Sequence, residues 1–317
     1  MPSRKCHAMK RVDEFEDIRG EFFNYLTYTR NYSPATCYAY SSDLSVWCEW
    51  LSSTDLDWTR VTHVHIEQFI AWQMRSRNNQ AHIVARRSST LSTFYRWCLK
   101  HEVVARDPVQ GADKPKRPHR IPVWLEPEEQ GALEALLDAE EDLPRNLFGR
   151  QRDDALRTRR RYRMLFRLIL VSGLRISEAL HLKVSDVSMA AGIAKSLRVI
   201  GKGNKERIIP LPDKIGPVLG DWIGDAPEAE FVFAMKPGGK PPGAQAARAY
   251  LRRLLDGTRI RKRVTPHKLR HTYATRLKEK GAELTDIRDL LGHADISTTS
   301  IYTHVGEDRK RDLVSKL

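Results

Sequence analysis

The chain has 317 residues, above the usual size of one domain and long enough for two domains that each bury a core. Its 54 lysines and arginines against 40 acidic residues leave a formal charge of +14, which favours polyanions such as nucleic acid or an anionic membrane surface. No apolar run approaches the roughly 20 residues that span a bilayer, and Met1-Pro-Ser-Arg-Lys-Cys-His lacks the apolar core of a signal peptide, so a cytoplasmic protein is expected and not an inserted or secreted one.

In chain order, residues 1–12 form an N-terminal extension and residues 13–110 a helical domain. Phe15 to Tyr28 is amphipathic. A second helix starts at Ser33 as N-cap with Pro34 at the first helical position, and Tyr40, Leu44, Trp47 and Leu51 then recur at helical spacing. Val64 to Trp72 and Arg86 to Leu99 supply two more helices, enough for a small four-helix bundle. The four cysteines, Cys6, Cys37, Cys48 and Cys98, form no CxxC pair and no metal-ligand spacing with histidine, and read as reduced thiols. Residues 111–122 form a linker, because the three prolines of Asp113-Lys-Pro-Lys-Arg-Pro-His-Arg-Ile-Pro remove backbone donors and restrict their neighbours. Its Lys114, Lys116 and Arg117 could track a phosphate backbone or simply decorate a solvated hinge.

Residues 123–317 form the second domain. Glu126 to Leu137 is predicted helical, its early glutamates favourable to the positive end of the helix dipole. Residues 138–161 read as a loop plus part of a basic helix, and Arg163 to Val171 as an apolar helix stopped by Gly173. Ser177 is predicted to cap a new helix through Leu182, leaving Arg175 in the junction. Ser196 to Ile200 and Arg207 to Leu211 bracket Gly201-Lys-Gly-Asn-Lys-Glu as a β-hairpin with Lys202 at its tip, and helices resume from Ala244 to the end. The fold class is mainly α with a small antiparallel β-sheet.

Five segments suit work on a phosphodiester: Ser172-Gly-Leu-Arg-Ile-Ser-Glu, the hairpin lysine, Thr265-Pro-His-Lys-Leu-Arg-His, Leu291-Gly-His-Ala-Asp and Ile301-Tyr-Thr-His. Cleavage by a side-chain nucleophile needs charge stabilisation on the non-bridging oxygens, a proton donor for the leaving alcohol and an in-line attacker. Arginine's planar fork suits the first task, with Arg175 and Arg270 as candidates. His267 and Arg270, three apart, share a helix face, and Thr265 with Pro266 marks that helix's N-terminus, which itself favours anions. His293 and Tyr302, nine apart, converge only if the chain breaks between them, with Gly292 as a stop and Ser297-Thr-Thr-Ser as a fresh start. Singly, each residue has a plainer reading, as a surface arginine, a hairpin lysine, a capping histidine or a half-buried tyrosine; the ordered set carries the weight.

That ordered set resembles the tyrosine recombinase and phage integrase family, whose pattern of Arg, Lys, His-x-x-Arg, His or Trp, and Tyr stands here as Arg175, Lys202, His267-Lys-Leu-Arg270, His293 and Tyr302. Ser33-Pro-Ala-Thr-Cys-Tyr-Ala-Tyr-Ser-Ser-Asp-Leu and Ala85-Arg-Arg-Ser-Ser-Thr-Leu-Ser-Thr-Phe-Tyr-Arg-Trp look like the core-binding domain of its Xer-like branch. The resemblance implies a SAM-like four-helix core-binding domain and a catalytic domain forming a C-shaped clamp on DNA. It implies Tyr302 as the nucleophile that forms a 3′-phosphotyrosine bond, with Arg175, Arg270 and His293 holding the phosphate. Lys202 would be general acid, His267 would assist proton transfer, and Glu178 would orient catalytic groups.

Neither ATP nor a metal is implied, because phosphotyrosine exchange conserves bond energy. The implied partners are double-stranded DNA with short inverted core sites and a homotetramer on that DNA, with or without a paralogous recombinase. Thr36, Arg86, Arg87, Lys114, Lys116, Arg117 and Lys268 are plausible DNA contacts. The short N-terminal extension leaves no room for a separate arm-binding domain, and the length of residues 138–161 departs from the housekeeping pattern, which points to a simple recombinase of a mobile element or plasmid. Residues 308–317 would dock Leu313, Val314 and Leu317 into a neighbouring protomer. Relaxation of DNA in the manner of a type IB topoisomerase, or a DNA-binding regulator that has lost the reaction, are the alternatives.

Overall fold

Serine followed by proline starts the second helix as its chemistry dictates: the Ser33 hydroxyl accepts the Thr36 N–H at 3.3 Å, and Pro34 gives up an N–H that has no intrahelical partner. This helix belongs to the first of the two units, Met1–Arg120 and Ile121–Leu317, into which the chain divides. The computed structural model describes residues 4–113, 123–139, 148–201, 206–225, 230–236, 238–256 and 258–292, with side chains from residue 14 onward.

The first unit contains α1 (Arg4–Asn24), prolonged by a π-helical turn (Tyr25–Thr29), α2 (Pro34–Thr54), α3 (His63–Arg75) and α4 (Ala81–Lys100). The first helix thus begins at Arg4, inside the stretch read as an extension. Phe15, Phe22, Leu44, Trp47, Ile66, Phe69, Leu91 and Phe94 are buried in one core. Trp47 meets Phe69 edge to face at 4.8 Å, a packing the aromatic quadrupole favours.

Asp43 is buried in this core among polar partners. Its Oδ2 accepts from Arg86 Nη1 at 2.6 Å and Thr90 Oγ1 at 2.9 Å, and its Oδ1 lies 3.4 Å from Arg87 Nε. Arg87 Nη1 also donates to Gln73 Oε1 at 2.9 Å, so the network joins α2, α3 and α4. A carboxylate in an apolar core persists only when so compensated.

The second unit runs α5 (Pro127–Asp138), α6 (Gly149–Ser172), α7 (Ile176–Leu180), a 3-10 turn (Val184–Asp186), β1 (Val187–Ala190), β2 (Ile193–Ile200), β3 (Glu206–Pro210), α8 (Gly216–Gly224), α9 (Ala244–Leu255), α10 (Pro266–Glu279) and α11 (Leu284–Leu291). The sheet is antiparallel in the order β1-β2-β3, with Leu197 opposite Val187 on one side and Ile209 on the other. Leu165, Phe166, Leu168 and Ile169 make α6 the centre of the core, and Leu269 of α10 joins the same cluster. Thr272 Oγ1 accepts the Leu125 N–H at 2.9 Å and Arg276 Nη2 donates to Leu125 O at 2.7 Å, fixing the approach to α5 against α10.

Three sequence expectations differ here. The basic helix is longer than expected, since α6 begins at Gly149 and carries its arginines into the core helix without a break. Ser177 lies inside α7 and Arg175 takes the N-cap position. Neither β1 nor α8 was anticipated. The four residues of β1 are irregularly paired, with a register shift between Ser188 and Met189. The glycines of α8 suggest a loop, yet a Cβ on Gly220 would strike the Gly192 carbonyl, so its bareness lets the helix lie against the β1–β2 turn.

Candidate active site

The turn after α6 sets up the site. Ser172 is followed by Gly173 in the left-handed conformation, at φ 65°, the stop expected from the sequence. The chain then re-enters helix α7, where the carboxylate of Glu178 reaches back to accept the Arg175 N–H through Oε2 at 2.8 Å. The Arg175 side chain donates to the other oxygen, Oε1, at 2.7 Å.

Glu178 gathers two more guanidinium groups. Arg207, from β3, donates Nη2 to Oε2 at 2.7 Å and Nη1 to Oε1 at 3.2 Å, while Nη1 of Arg270, from α10, stands 3.8 Å from Oε2. Burial alone would raise the Glu178 carboxyl, but the hydrogen bonds from Arg207 and then Arg175 outweigh it and hold the pKa below the ordinary carboxylate value.

The same arginines hold the carbonyl end of α11, the negative end of its dipole. Arg207 Nε donates to Leu290 O at 2.9 Å, Arg270 Nη2 to Leu291 O at 2.6 Å, and Arg175 Nη2 to Gly292 O at 3.2 Å. Arg270 Nη1 also donates to Gly173 O at 2.7 Å, and its side chain is fully buried. Arg175 keeps 37% of its side chain exposed.

The α10 helix starts as the sequence predicts, with Thr265 Oγ1 accepting from Lys268 N at 3.3 Å and Pro266 in the first turn. His267 sits at the surface one turn before Arg270, its Nε2 3.1 Å from His271 Nε2. Partial desolvation of its ring, followed by the charges of Arg270 and Arg175, pushes the His267 pKa down. Lys268 is half-buried, and its pKa is lowered by desolvation and by Arg263 and Lys262.

The structure therefore brings Arg175, Glu178, His267 and Arg270 together from α7 and α10. Lys202, His293 and Tyr302 lie outside the described residues, as do Lys114, Lys116, Arg117 and the tail residues Leu313, Val314 and Leu317. Of the other expected DNA contacts, Thr36 is half-buried with its hydroxyl 2.9 Å from Ser33 Oγ. Arg86 keeps 49% of its side chain exposed, whereas Arg87, at 13%, is taken up by Asp43 and Gln73.

Tyr273, the other tyrosine near the motif, packs against Ala274, Ile287 and Leu291, and burial raises its pKa, which disfavours the phenolate. Sequence reasoning missed Arg207. A signal existed: Arg207 and Ile209 share the inward face of β3 while Glu206, Ile208 and Pro210 face out, so a charge stands in phase with buried positions.

Residues 147–309 match the phage integrase family, and residues 20–102 match the N-terminal SAM-like domain of phage integrases. The chain belongs to the phage integrase family. Its relatives within that family include a tyrosine recombinase of Pseudothermotoga lettingae, 33% identical over 307 residues, which span 95% of this chain and 98% of the relative. A tyrosine recombinase XerC of Halalkalibacterium halodurans is 32% identical over 304 residues, 92% of this chain and 94% of the relative. Among solved structures, XerH site-specific recombinase bound to palindromic difH substrate, in a post-cleavage complex, shares the fold at a TM-score of 0.72 and 22% identity, covering 90% of this chain and 81% of that one. The mainly helical architecture with one three-stranded antiparallel sheet is that of a phage integrase, with a SAM-like domain earlier in the sequence.

Proposed function

We propose that this phage integrase family member is a site-specific DNA recombinase that breaks and rejoins strands through Tyr302. The observation that carries the reading is the convergence of Arg175 and Arg270 on one carboxylate, with a neutral-leaning His267 on the same helix face as Arg270.

The Tyr302 hydroxyl attacks the scissile phosphorus, a 3′-phosphotyrosine bond forms, and the bond to the 5′-oxygen breaks. His267 takes the tyrosine proton, and Lys202 gives a proton to the departing 5′-oxygen. Arg175 and Arg270, with His293, neutralise the charge that spreads over the non-bridging oxygens. Rejoining reverses each transfer, so bond energy is conserved through the exchange.

Double-stranded DNA with short inverted core sites is the substrate, and four protomers act on a pair of sites in the cytoplasm. Recombination of a mobile element or plasmid fits the sequence best.

Footprinting on the flanking genomic DNA defines the bound site, and a nicked duplex bearing it traps the covalent intermediate. The wild-type chain and Tyr273→Phe are expected to form the adduct, whereas Tyr302→Phe binds the duplex without forming it. An adduct that survives in Tyr302→Phe and vanishes in Tyr273→Phe would move the nucleophile to Tyr273.

A further inference from the structure

We propose that Arg207 is a positioning residue of the recombinase centre: it locks Glu178 to the carbonyl end of α11 and so leaves the outer face of Arg175 open to phosphate. The inference rests on the recombinase reading and adds to it a residue outside the expected catalytic set.

All three donor nitrogens of Arg207 are engaged. Two form a fork on the Glu178 carboxylate, at 2.7 and 3.2 Å, and Nε donates to Leu290 O at 2.9 Å. The side chain is 9% exposed, and all these contacts are to the protein itself. A lysine in its place would be a point charge and could not bridge carboxylate and carbonyl in the same way.

The carboxylate needs this partner. The Glu178 side chain is only 8% exposed, with Arg175 at 2.7 Å and Arg270 at 3.8 Å besides Arg207. Without Arg207, its Oε2 keeps the Arg175 backbone N–H and loses its guanidinium contact at 2.7 Å. The nearest guanidinium donors left to satisfy it belong to the two arginines assigned to phosphate. Each donor turned inward toward Glu178 is one fewer for the phosphate.

Sequence proximity links the same side chain to the rest of the proposed centre. Arg207 comes five residues after Lys202 in sequence, on the strand whose Glu206 pairs with Ile200. Its carbonyl partner, Leu290, lies three residues before His293. Gly292 is in the left-handed conformation at φ 64°, and a Cβ there would stand 2.9 Å from Arg207 Nη1. One guanidinium therefore ties β3, which begins four residues after Lys202 in sequence, to the end of α11, which stops two residues short of His293.

The test compares the wild-type chain with Arg207→Gln, Arg207→Lys, Glu178→Gln and the Arg207→Gln/Glu178→Gln double variant. The readouts are single-turnover adduct formation on the nicked duplex, affinity for the same duplex, thermal midpoint, and hydrogen exchange across residues 284–292. Arg207→Gln is expected to slow adduct formation by about 10- to 100-fold, as a misplaced catalytic group does, with affinity within about threefold. Added to Glu178→Gln, the same change should cost much less, because the two residues act as one unit. Should Arg207→Gln melt early, Arg207→Lys, which keeps the charge, decides the matter and is expected to be slow while still binding.

Full-rate cleavage by Arg207→Gln, or equal losses in affinity and cleavage, would overturn the assignment. Should the wild-type chain form no Tyr302-dependent adduct, the recombinase reading fails. The clamp is then judged on exchange alone: faster exchange at residues 284–292 in Arg207→Gln upholds it, and unchanged protection overturns it.

Discussion

In the proposed reaction His267 must be neutral to accept the tyrosine proton, and its surroundings favour that form. Desolvation, then Arg270 and Arg175, lower its pKa from the ordinary 6.5. The sign follows directly. A histidine whose folded pKa lies below its unfolded value contributes stability present above 6.5 and lost as pH falls through the folded value. Catalysis should follow the same titration, so the adduct-forming rate is expected to hold at pH 6.5 and to fall only below it. A pH–rate profile on the nicked duplex checks this. His267→Gln should be slow and lack that limb, and a limb at or above 6.5 would contradict the role. Residues of this kind were legible because their types and order are distinctive. The phase of β3 could flag Arg207 as inward-facing but not its role, because its partners Glu178 and Leu290 lie 29 and 83 residues away and only the fold joins them.

Elements were legible where a local rule sufficed. Ser33-Pro34 and Thr265-Pro266 mark the starts of α2 and α10, since an N-cap acceptor followed by proline satisfies the helix end without tertiary help. The bounds of α6 and the existence of α8 and β1 were not, because α6 runs from an exposed arginine-rich start into buried positions with no local break, and the others depend on backbone contacts with a neighbouring strand. The Asp43 network belongs to the same class: three helices meet on one buried carboxylate that no local pattern announces. Asp43→Ala would leave Arg87, 13% exposed, without that charge partner, and should cost the first unit about 3–5 kcal/mol, the usual penalty for breaking a buried pair. Urea unfolding followed by tryptophan fluorescence suits the measurement, because Trp47, Trp50 and Trp58 are all buried in that unit. A loss below about 1 kcal/mol, the range of an exposed pair, would show that the network is not part of the fold's support.

At the scale of the whole molecule, charge and assembly make separable demands. A formal charge of +14 draws the chain to any duplex, and each phosphate neutralised releases counterions, so single-site affinity should fall steeply and linearly in log–log form as salt rises. The proposed assembly of four protomers would need more than charge, since like-charged chains repel unless specific contacts join them. In that proposal Asp312-Leu-Val-Ser-Lys-Leu supplies Leu313, Val314 and Leu317 as the apolar groups that meet a neighbour. Truncation before Asp312 removes three apolar residues together with one basic and one acidic side chain, leaving the formal side-chain charge of the chain at +14. The truncated chain is therefore expected to bind a single site with the salt slope of the full chain, while synapsis of two sites and recombination are lost. Gel mobility at several salt concentrations and a two-site synapsis assay separate the outcomes. A truncated chain that still pairs sites and recombines would refute the tail's role, and one whose salt slope also drops would show that the tail touches DNA and not a neighbour.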